Sequence, residues 1–158
     1  SKLQNPIYRE ILMTVLKIHQ VPNSSYSPPS FEHKPEGFNT RWWHEYHIDM
    51  EWFSFWQGEL EVARAGTVSP YTLSDNYENI IPPCEGVEIA FFEVHKDYRG
   101  RGIGRSSLEL IKRKYPNTRL FAFSKNADNF WSGVGWIYHP RQDDHIGHYW
   151  RLYIYNGY

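Results

Sequence analysis

The chain has 158 residues and a formal charge of −1, from 17 basic and 18 acidic side chains. That length is typical of one domain, and the balanced charge excludes a general attraction to nucleic acid or an anionic membrane. The single cysteine, Cys84, excludes an internal disulfide and a multi-cysteine zinc site, and we expect its thiol on a solvent-facing loop. No apolar run approaches the roughly 20 residues of a membrane helix. We therefore expect one cytoplasmic domain over residues 1–158, without a metal site or a membrane segment.

The first half of the chain predicts strands separated by loops. The segment "LMTVLKIHQV" fits both a helical stripe and a strand, and we favour a strand over 12–20. The proline-rich segment 22–40 predicts a long loop. Two apolar runs on either side of a glycine predict an antiparallel hairpin of 45–57 and 59–68. Prolines interrupt residues 70–86, which are predicted as a second loop.

The second half predicts a central strand followed by alternating helices and strands. The run "GVEIAFFEVH" is apolar enough for a strand over 87–95 that is buried on both faces. Residues 103–115 have apolar side chains at helical spacing, cations in the last turn and a proline just beyond, which predicts a helix. The remaining elements are a strand, a short helix and two further strands, expected over 119–124, 127–133, 136–139 and 149–155.

The stretch "VHKDYRGRGIGRSS" (94–107) places alternating glycines and arginines between the central strand and this helix. A helix N-terminus offers free N–H groups and the positive end of a dipole, both of which attract anions. Glycines let the backbone approach an anion closely, and arginines add positive charge. A P-loop is excluded because no lysine follows the glycines, and Arg105 stands where a dinucleotide fingerprint needs glycine. The turn is therefore predicted to bind a phosphate-bearing ligand.

The turn resembles the acyl-CoA-binding signature R-x-x-G-x-G/A of the GNAT superfamily of N-acetyltransferases, with Arg99, Gly102 and Gly104 in the signature positions. The segment "NADNFWSGVGW" (126–136) resembles a second family segment, in which an asparagine precedes a Phe-Tyr and a Gly-Phe pair. The resemblance covers 86–139 by motif and the first half only by element order. It implies an α+β fold with a mixed sheet of six to seven strands and flanking helices, whose fourth and fifth strands splay apart around acetyl-CoA.

The resemblance also implies how the chain would hold acetyl-CoA. Backbone N–H groups of residues 100–105 would contact the pyrophosphate, and the central strand would pair with the pantetheine through main-chain atoms. Asn126 would lie near the pantetheine or thiol end, with the N-cap of the following helix as its alternative role. The predicted cofactor-binding residues are Phe92, Glu93, Val94, Arg99, Gly100, Arg101, Gly102, Ile103, Gly104, Arg105, Asn126 and Trp131.

Acetyl transfer to an amine requires a general base, and Glu88 is the predicted one. It lies on the central strand, which resembles the strand that carries the base in histone-type members of the family. Strict alternation would place its carboxylate on the same face as Ala90, Phe92 and Val94, and apolar surroundings raise the pKa of a carboxyl. Glu93 would point the other way.

The sequence departs from the family at Trp131, because many members have a tyrosine there that protonates the leaving sulfur. An indole N–H does not ionise usefully. Either the CoA thiolate leaves with only hydrogen-bond or water assistance, since a thiol pKa is about 8.5, or Tyr138 or another hydroxyl supplies the proton.

These observations predict an N-acetyltransferase that moves an acetyl group from acetyl-CoA to a primary amine by direct attack. The expected acceptor is a small-molecule or peptide amine, and the expected state is a monomer or homodimer. Nucleic acid is not expected as a partner. Two alternatives stay open, a toxin-like acetyltransferase of aminoacyl-tRNA and a catalytically silent acyl-CoA-binding sensor.

Overall fold

The computed structural model describes residues 15–22, 29, 31, 36–39, 50–74, 76–143, 147 and 149–155. Its strands are β1 (Leu16–Val21), β2 (Met50–Gln57), β3 (Leu60–Leu73), β4 (Cys84–Val94), β5 (Leu120–Ser124), β6 (Ile137–His139) and β7 (Arg151–Ile154). Its helices are α1 (Ile103–Lys114), α2 (Asp128–Gly133) and a 3₁₀ turn, Lys96–Tyr98. Within these ranges, no helix combines the length and apolarity needed to cross a bilayer.

The seven strands form one mixed sheet in the order β1-β2-β3-β4-β5-β7-β6. Strands β1 to β4 are antiparallel neighbours, β4 and β5 are parallel, and β7 is antiparallel to both β5 and β6. A parallel pair needs a crossover connection, which α1 supplies between β4 and β5. The predicted α+β architecture, with six to seven strands and flanking helices, is confirmed.

The main core lies between the helices and one face of the sheet. The apolar stripe of α1, with Leu108 and Ile111 buried, packs against β2, β3, β4 and β5, and Trp131 of α2 joins the same cluster. The opposite face carries a smaller cluster around Met50 and Trp52 of β2. The two faces therefore have separate packing partners, and the face on which a β4 side chain lies decides what it touches.

Two predicted boundaries in the first half are wrong. β3 runs to Leu73, because Pro70 falls where the β3–β4 register shifts, a place where a missing N–H is tolerated. β4 begins at Cys84, which is only 1% exposed rather than on a solvent-facing loop. The predicted loop over 70–86 is therefore too long at both ends, because β3 ends at Leu73 and β4 begins at Cys84.

The other predicted elements agree with the structure to within a few residues. The predicted helices over 103–115 and 127–133 correspond to α1 and α2, and the three later strands, β5 to β7, lie where expected. The first strand is confirmed from Leu16 onward, whereas its predicted start over 12–14 lies outside the described residues. The predicted strand start over 45–49 and most of the predicted loop over 22–40 also lie outside them.

β4 and β5 diverge after a short parallel contact, as predicted. They pair only where Val87 lies opposite Leu120 and Glu88 lies opposite Phe121. β4 then continues to Val94 without a β5 partner, while β5 pairs with β7 on its other side. The divergence opens a groove in the sheet, and the main-chain groups of β4 that face β5 line it.

Candidate active site

The groove consists of two cavities that share part of their lining. We call the first the glycine-turn cavity; it lies beside the β4–α1 turn and has a volume of about 740 Å³. We call the second the Glu88 cavity; it lies beside the middle of β4 and has a volume of about 900 Å³. The residues that line both are Phe92, Glu93, Asn126, Ala127 and Phe130. The cavities are therefore continuous at the gap between β4 and β5.

The glycine-turn cavity is lined by ten of the twelve predicted cofactor-binding residues: Phe92, Glu93, Val94, Arg99, Gly100, Gly102, Ile103, Gly104, Arg105 and Asn126. Arg101 does not line it; the Arg101 guanidinium lies 5.4 Å from the centre of the Tyr98 ring. Trp131 lines the Glu88 cavity instead.

The backbone of the turn is shaped for close approach of a ligand. Gly100 and Gly102 have φ of +77° and +78°, a conformation that side chains with a Cβ rarely adopt, and a Cβ at either residue would meet no protein atom within 4 Å. Gly102 is the N-cap of α1 and supplies no side-chain hydrogen bond. The N–H groups of the first turn of α1 have no partner within the helix and are available to an anion.

Gly104 has a different role from the other two glycines. It is buried inside α1, and a Cβ there would lie 2.7 Å from Cε2 of Phe130 on α2. The ring of Phe130 stacks on that of Phe92 at 5.5 Å. Gly104 therefore allows α2 to pack directly against α1, so only two of the three alternating glycines serve the shape of the turn.

The arginines of the turn are held by the fold. Nε of Arg99 donates to the carbonyl oxygen of Val94 at 3.0 Å. Nη2 of Arg105 donates to the carbonyl oxygen of Gly133, at the end of α2, at 2.8 Å. Both side chains line the glycine-turn cavity, so each brings a positive charge to it in a fixed position.

A β-bulge at Ala90 changes which β4 side chains share a face. Gly66 of β3 pairs with Phe91, but the next residue, Thr67, pairs with Ile89, so Ala90 is an extra residue in β4. Beyond the bulge the alternation shifts by one residue. The prediction that Glu88 shares a face with Phe92 and Val94 is therefore wrong.

Packing and register give the actual faces. Phe92 and Val94 pack with Val87 and Ile89 in the main core below the helices. Ala90 packs in the small cluster on the opposite face. Two cross-strand pairs show where the carboxylates lie. Glu88 lies opposite Val68 of β3, which also packs in that small cluster. Glu93 lies opposite Arg64, which is four residues from Val68 on β3 and therefore on the same face. Glu88 and Glu93 thus share one face, contrary to the prediction, because an extra residue in a strand reverses its later side chains.

Glu88 has the environment of a general base. Its side chain is half-buried and lines the Glu88 cavity, and burial raises its pKa above the ordinary 4.5. Burial, together with the neighbouring Glu88 carboxylate, also raises the pKa of the Tyr71 hydroxyl. Tyr71 was missed in the sequence because Pro70 placed it in a predicted loop, whereas β3 carries it alongside β4.

Of the three residues expected near the leaving group, Asn126 and Trp131 line the Glu88 cavity and Tyr138 does not. Asn126 has φ of +58° and lines both cavities, and the N-cap of α2 is Ala127, so the alternative N-cap role of Asn126 is wrong. Trp131 is 5% exposed and packs against Trp136 with ring centres 4.7 Å apart. Tyr138 lines neither cavity; its ring packs 5.6 Å from that of Tyr153. The structure therefore does not bring Tyr138 to Glu88.

The Glu88 cavity contains few groups that exchange protons. Its titratable lining residues, in the part of the chain that the structure describes, are Glu88, Glu93 and Lys125. None of its described lining residues carries a hydroxyl. This composition favours the expectation that the leaving thiolate is not protonated by a side chain.

The acetyltransferase (GNAT) family model matches residues 15–136. The chain belongs to this acetyltransferase family, and it is an enzyme of the acyltransferase class. A comparison with curated protein sequences finds no significant match.

Solved structures with the same fold include acetyltransferases from bacteria. An acetyltransferase from Thermus thermophilus is 19% identical, with a TM-score of 0.56 over 90% of this chain and 99% of the other. The Bacillus subtilis N-acetyltransferase YlbP, in complex with coenzyme A, is 18% identical with a TM-score of 0.51 over 66% of each chain. A mutant of the toxin AtaT, bound to the C-terminus of the antitoxin AtaR and acetyl-CoA, is 10% identical with a TM-score of 0.55 over 89% of this chain and 92% of the other.

Proposed function

We propose that the protein transfers an acetyl group from acetyl-CoA to a primary amine by direct attack, with Glu88 as the general base. The observation that carries this proposal is the position of Glu88. Its half-buried carboxylate, with a raised pKa, lines a cavity that is continuous with the glycine-turn cavity. A base beside the gap between β4 and β5 can reach an amine that enters from the other side of the sheet.

The glycine-turn cavity fits the phosphate end of acetyl-CoA, which is the cosubstrate. Gly100 and Gly102 leave the turn open, and the N–H groups at the start of α1 can bind an anion. The edge of β4 beyond Glu88 has no β5 partner, so its main-chain groups are available to the amides of the pantetheine. The thioester would then lie between the Ala90 bulge and Phe92, a residue that lines both cavities.

Glu88 would act on the acceptor amine. An amine attacks only when its nitrogen lone pair is free, so the base accepts a proton from nitrogen, directly or through one water. A carboxylate with a raised pKa holds that proton better than an ordinary one at the same pH. Main-chain N–H groups of β4 that face the groove would stabilise the carbonyl oxygen as it gains charge.

The thiolate would leave without a side-chain acid. The described lining of the Glu88 cavity contains no hydroxyl, and the indole N–H of Trp131 does not ionise usefully. A thiol with a pKa of about 8.5 is a good leaving group, so hydrogen bonds suffice to assist it. Asn126, which lines both cavities, would provide one.

Release of free CoA from acetyl-CoA, followed with a panel of primary amines, tests the proposal. We expect turnover with at least one amine and loss of it in Glu88→Gln. Binding of acetyl-CoA without turnover by any amine would instead support the alternative of a silent acyl-CoA sensor.

A second candidate function, acetylation of aminoacyl-tRNA, is favoured by one surface feature. Trp150 lines the Glu88 cavity and is 57% exposed, and the adjacent Tyr149 is 53% exposed. The ammonium of Lys125 lies 5.4 Å from the Trp150 ring, and Arg151 follows in sequence. Exposed aromatic rings interleaved with cations are typical of surfaces that bind single-stranded nucleic acid.

Two carboxylates in the Glu88 cavity oppose this second function, because they repel a polyanion. Binding of aminoacylated tRNA, measured at several salt concentrations, would decide between the candidates. Tight binding that weakens steeply with salt would favour the RNA acceptor; weak binding at all salt concentrations would favour a small or peptide amine.

A further inference from the structure

An extra residue in β3 brings Tyr71 to the face of the sheet on which Glu88 lies. Val68 of β3 pairs with Glu88. Three residues further along β3, Tyr71 pairs with Gly86, which is only two residues from Glu88 on β4. In a regular strand, residues three positions apart point to opposite faces, and the extra residue cancels this alternation. Val68 and Tyr71 therefore share the face of Glu88. Such bulges are over-represented beside active sites, where they redirect a side chain.

The ring of Tyr71 extends from β3 across β4 to β5. Its centre lies 5.5 Å from that of Phe121 and 6.0 Å from that of Phe123. Phe121 is the β5 residue opposite Glu88, and Phe123, two residues further along β5, lines the Glu88 cavity. Gly86 leaves room for this arrangement, since a Cβ there would lie 2.8 Å from Cε1 of Phe121. The ring of Tyr71 therefore lies beside Glu88, against the wall of its cavity.

The hydroxyl of Tyr71 carries its proton at neutral pH and is close enough to Glu88 to sense its charge. Burial and, after it, the negative charge of Glu88 raise the pKa of the hydroxyl above the ordinary 10.0. A protonated phenol donates a hydrogen bond and a carboxylate accepts one. No direct hydrogen bond joins the two groups, and Tyr71 is not among the described residues that line the cavity. One water can bridge polar groups that are too far apart for a direct bond.

The carboxylate of Glu88 needs such a support to act as a base in a fixed orientation. Burial raises its pKa, and none of the described residues donates a hydrogen bond to it directly. The other titratable groups in the described lining of its cavity are Glu93 and Lys125. Tyr71 approaches Glu88 from β3, outside the space that the acceptor would occupy. A donor on that side can hold one carboxylate oxygen without blocking the other.

We propose that Tyr71 is a positioning residue for Glu88: its hydroxyl donates to a water, which in turn donates to one oxygen of the carboxylate. This inference rests on the proposed function. The second carboxylate oxygen is left for the acceptor and takes the proton from its nitrogen. That nitrogen bonds to the acetyl carbon, and the electron pair of the broken carbon–sulfur bond leaves on the sulfur of CoA. Tyr71 keeps its own proton throughout and touches neither the acceptor nor acetyl-CoA.

Tyr71→Phe tests the proposal, because it removes the hydroxyl and keeps the ring that packs on β5. With a primary amine that the wild type acetylates, kcat should fall by about tenfold, and the affinity for acetyl-CoA should not change. The fall of kcat at low pH should begin at a higher pH in the variant, because a carboxylate that loses a donated hydrogen bond is protonated more readily.

Tyr77→Phe is the matched control. The Tyr77 ring packs against the same Phe123, with ring centres 6.3 Å apart, and its hydroxyl oxygen accepts a hydrogen bond from the Arg141 side chain. Both variants thus remove one hydroxyl from the same aromatic cluster. Tyr77→Phe should alter neither kcat nor its pH dependence. A folded Tyr71→Phe protein with kcat within about twofold of the wild type and the same pH dependence would overturn the proposal.

A titration that needs no turnover separates this inference from the proposed function. NMR of protein with ¹³C-labelled glutamate side chains follows the Glu88 carboxyl, whose signal is assigned by its loss in Glu88→Gln. The pKa of Glu88 should be higher in Tyr71→Phe than in the wild type and in Tyr77→Phe. If no amine gives turnover and the pKa of Glu88 still rises in this way, the proposed function fails and the positioning of Glu88 by Tyr71 is supported.

The reciprocal titration uses ¹³C-labelled tyrosine in Glu88→Gln. Removal of the negative charge should lower the pKa of one tyrosine, because a neighbouring carboxylate disfavours the phenolate. Unchanged titration of every tyrosine would overturn the proposal, whether or not Tyr71→Phe folds. A Glu88 pKa that is the same in folded Tyr71→Phe as in the wild type would also overturn it.

Discussion

The two cavities of the groove are built from different parts of the polypeptide. The glycine-turn cavity depends on main-chain conformation over a few consecutive residues, with Gly100 and Gly102 at positive φ before an uncapped helix. The Glu88 cavity depends on side chains from β2, β3, β4 and β5 and from the residues before β7. The first kind of site is sensitive to any side chain that blocks the backbone, and the second is sensitive to the removal of one functional group.

This difference predicts where each kind of substitution acts. A change in the turn should alter the affinity for acetyl-CoA, because backbone N–H groups act on the ligand at rest. A change in the Glu88 cavity should alter kcat, because the base acts mainly as the transition state forms.

The largest effect is expected from Glu88→Gln. The amide cannot accept the proton, so kcat should fall by roughly 10²–10⁴-fold at neutral pH, while the affinity for acetyl-CoA stays close to that of the wild type. Part of the rate should return at high pH, where the free amine is abundant. Steady-state kinetics and calorimetry measure the two quantities.

Glu85→Gln is the control for this variant, because Glu85 is exposed on the same strand and lines neither cavity. If Glu88→Gln keeps turnover within about twofold of the wild type, another group or water is the base.

Gly102→Val should produce the next largest effect. A branched side chain is strained at φ of +78° and would project toward the space that the phosphates need. We expect at least tenfold weaker acetyl-CoA binding, about 1.4 kcal/mol, by calorimetry. Gly147→Val is the control, since Gly147 is exposed and a Cβ there meets no protein atom within 4 Å. Unchanged affinity in a folded Gly102→Val protein would contradict the binding site.

The pH dependence of kcat should sharpen the assignment of the base. Burial raises the pKa of Glu88 above 4.5, and the residue must be ionised to accept a proton. We expect the kcat of the wild type to fall by roughly tenfold per pH unit below this raised pKa. Glu88→Gln should not show this fall of kcat at low pH. If the kcat of Glu88→Gln falls equally over the same pH range, the fall is caused by the titration of another group.

The same shift predicts a small change in stability with pH. The folded protein holds the Glu88 proton more tightly than the unfolded chain, so folding is favoured more strongly at low pH. This contribution is lost as the pH rises from about 4.5 through the raised pKa. Denaturant titrations should therefore show that Glu88→Gln gains stability relative to the wild type across that window.

The smallest effects are expected from Trp131→Phe and Tyr138→Phe. Trp131 packs in the core and gives no proton, and Tyr138 lies outside both cavities. Each variant should keep kcat within a few fold of the wild type, with a modest loss of stability for Trp131→Phe. A loss of about 10²-fold in Tyr138→Phe would identify its hydroxyl as the acid and would contradict departure of the thiolate without one.

The sequence predicted the lining of the glycine-turn cavity better than that of the Glu88 cavity. Ten of the twelve residues predicted to bind the cofactor line the glycine-turn cavity, because a turn and the first residues of its helix are contiguous. Glu93 lines the groove as predicted, but its side chain lies on the other face of β4 from the one predicted. Strict alternation along β4 was assumed, and the bulge at Ala90 breaks it.

The sequence by itself determined the helices, the order of the strands along the chain and the glycine turn, and it indicated Glu88 as the candidate base, since each depends on local spacing or on a contiguous motif. Only the tertiary structure decided that Glu88 and Glu93 share a cavity, that Gly104 serves helix packing and that Tyr138 lies outside the groove. These outcomes depend on register between strands and on contacts between distant segments. A single extra residue in one strand moves the later side chains to the opposite face of the sheet, and no local sequence pattern reveals it. For that reason the sequence did not specify the acceptor side of the site.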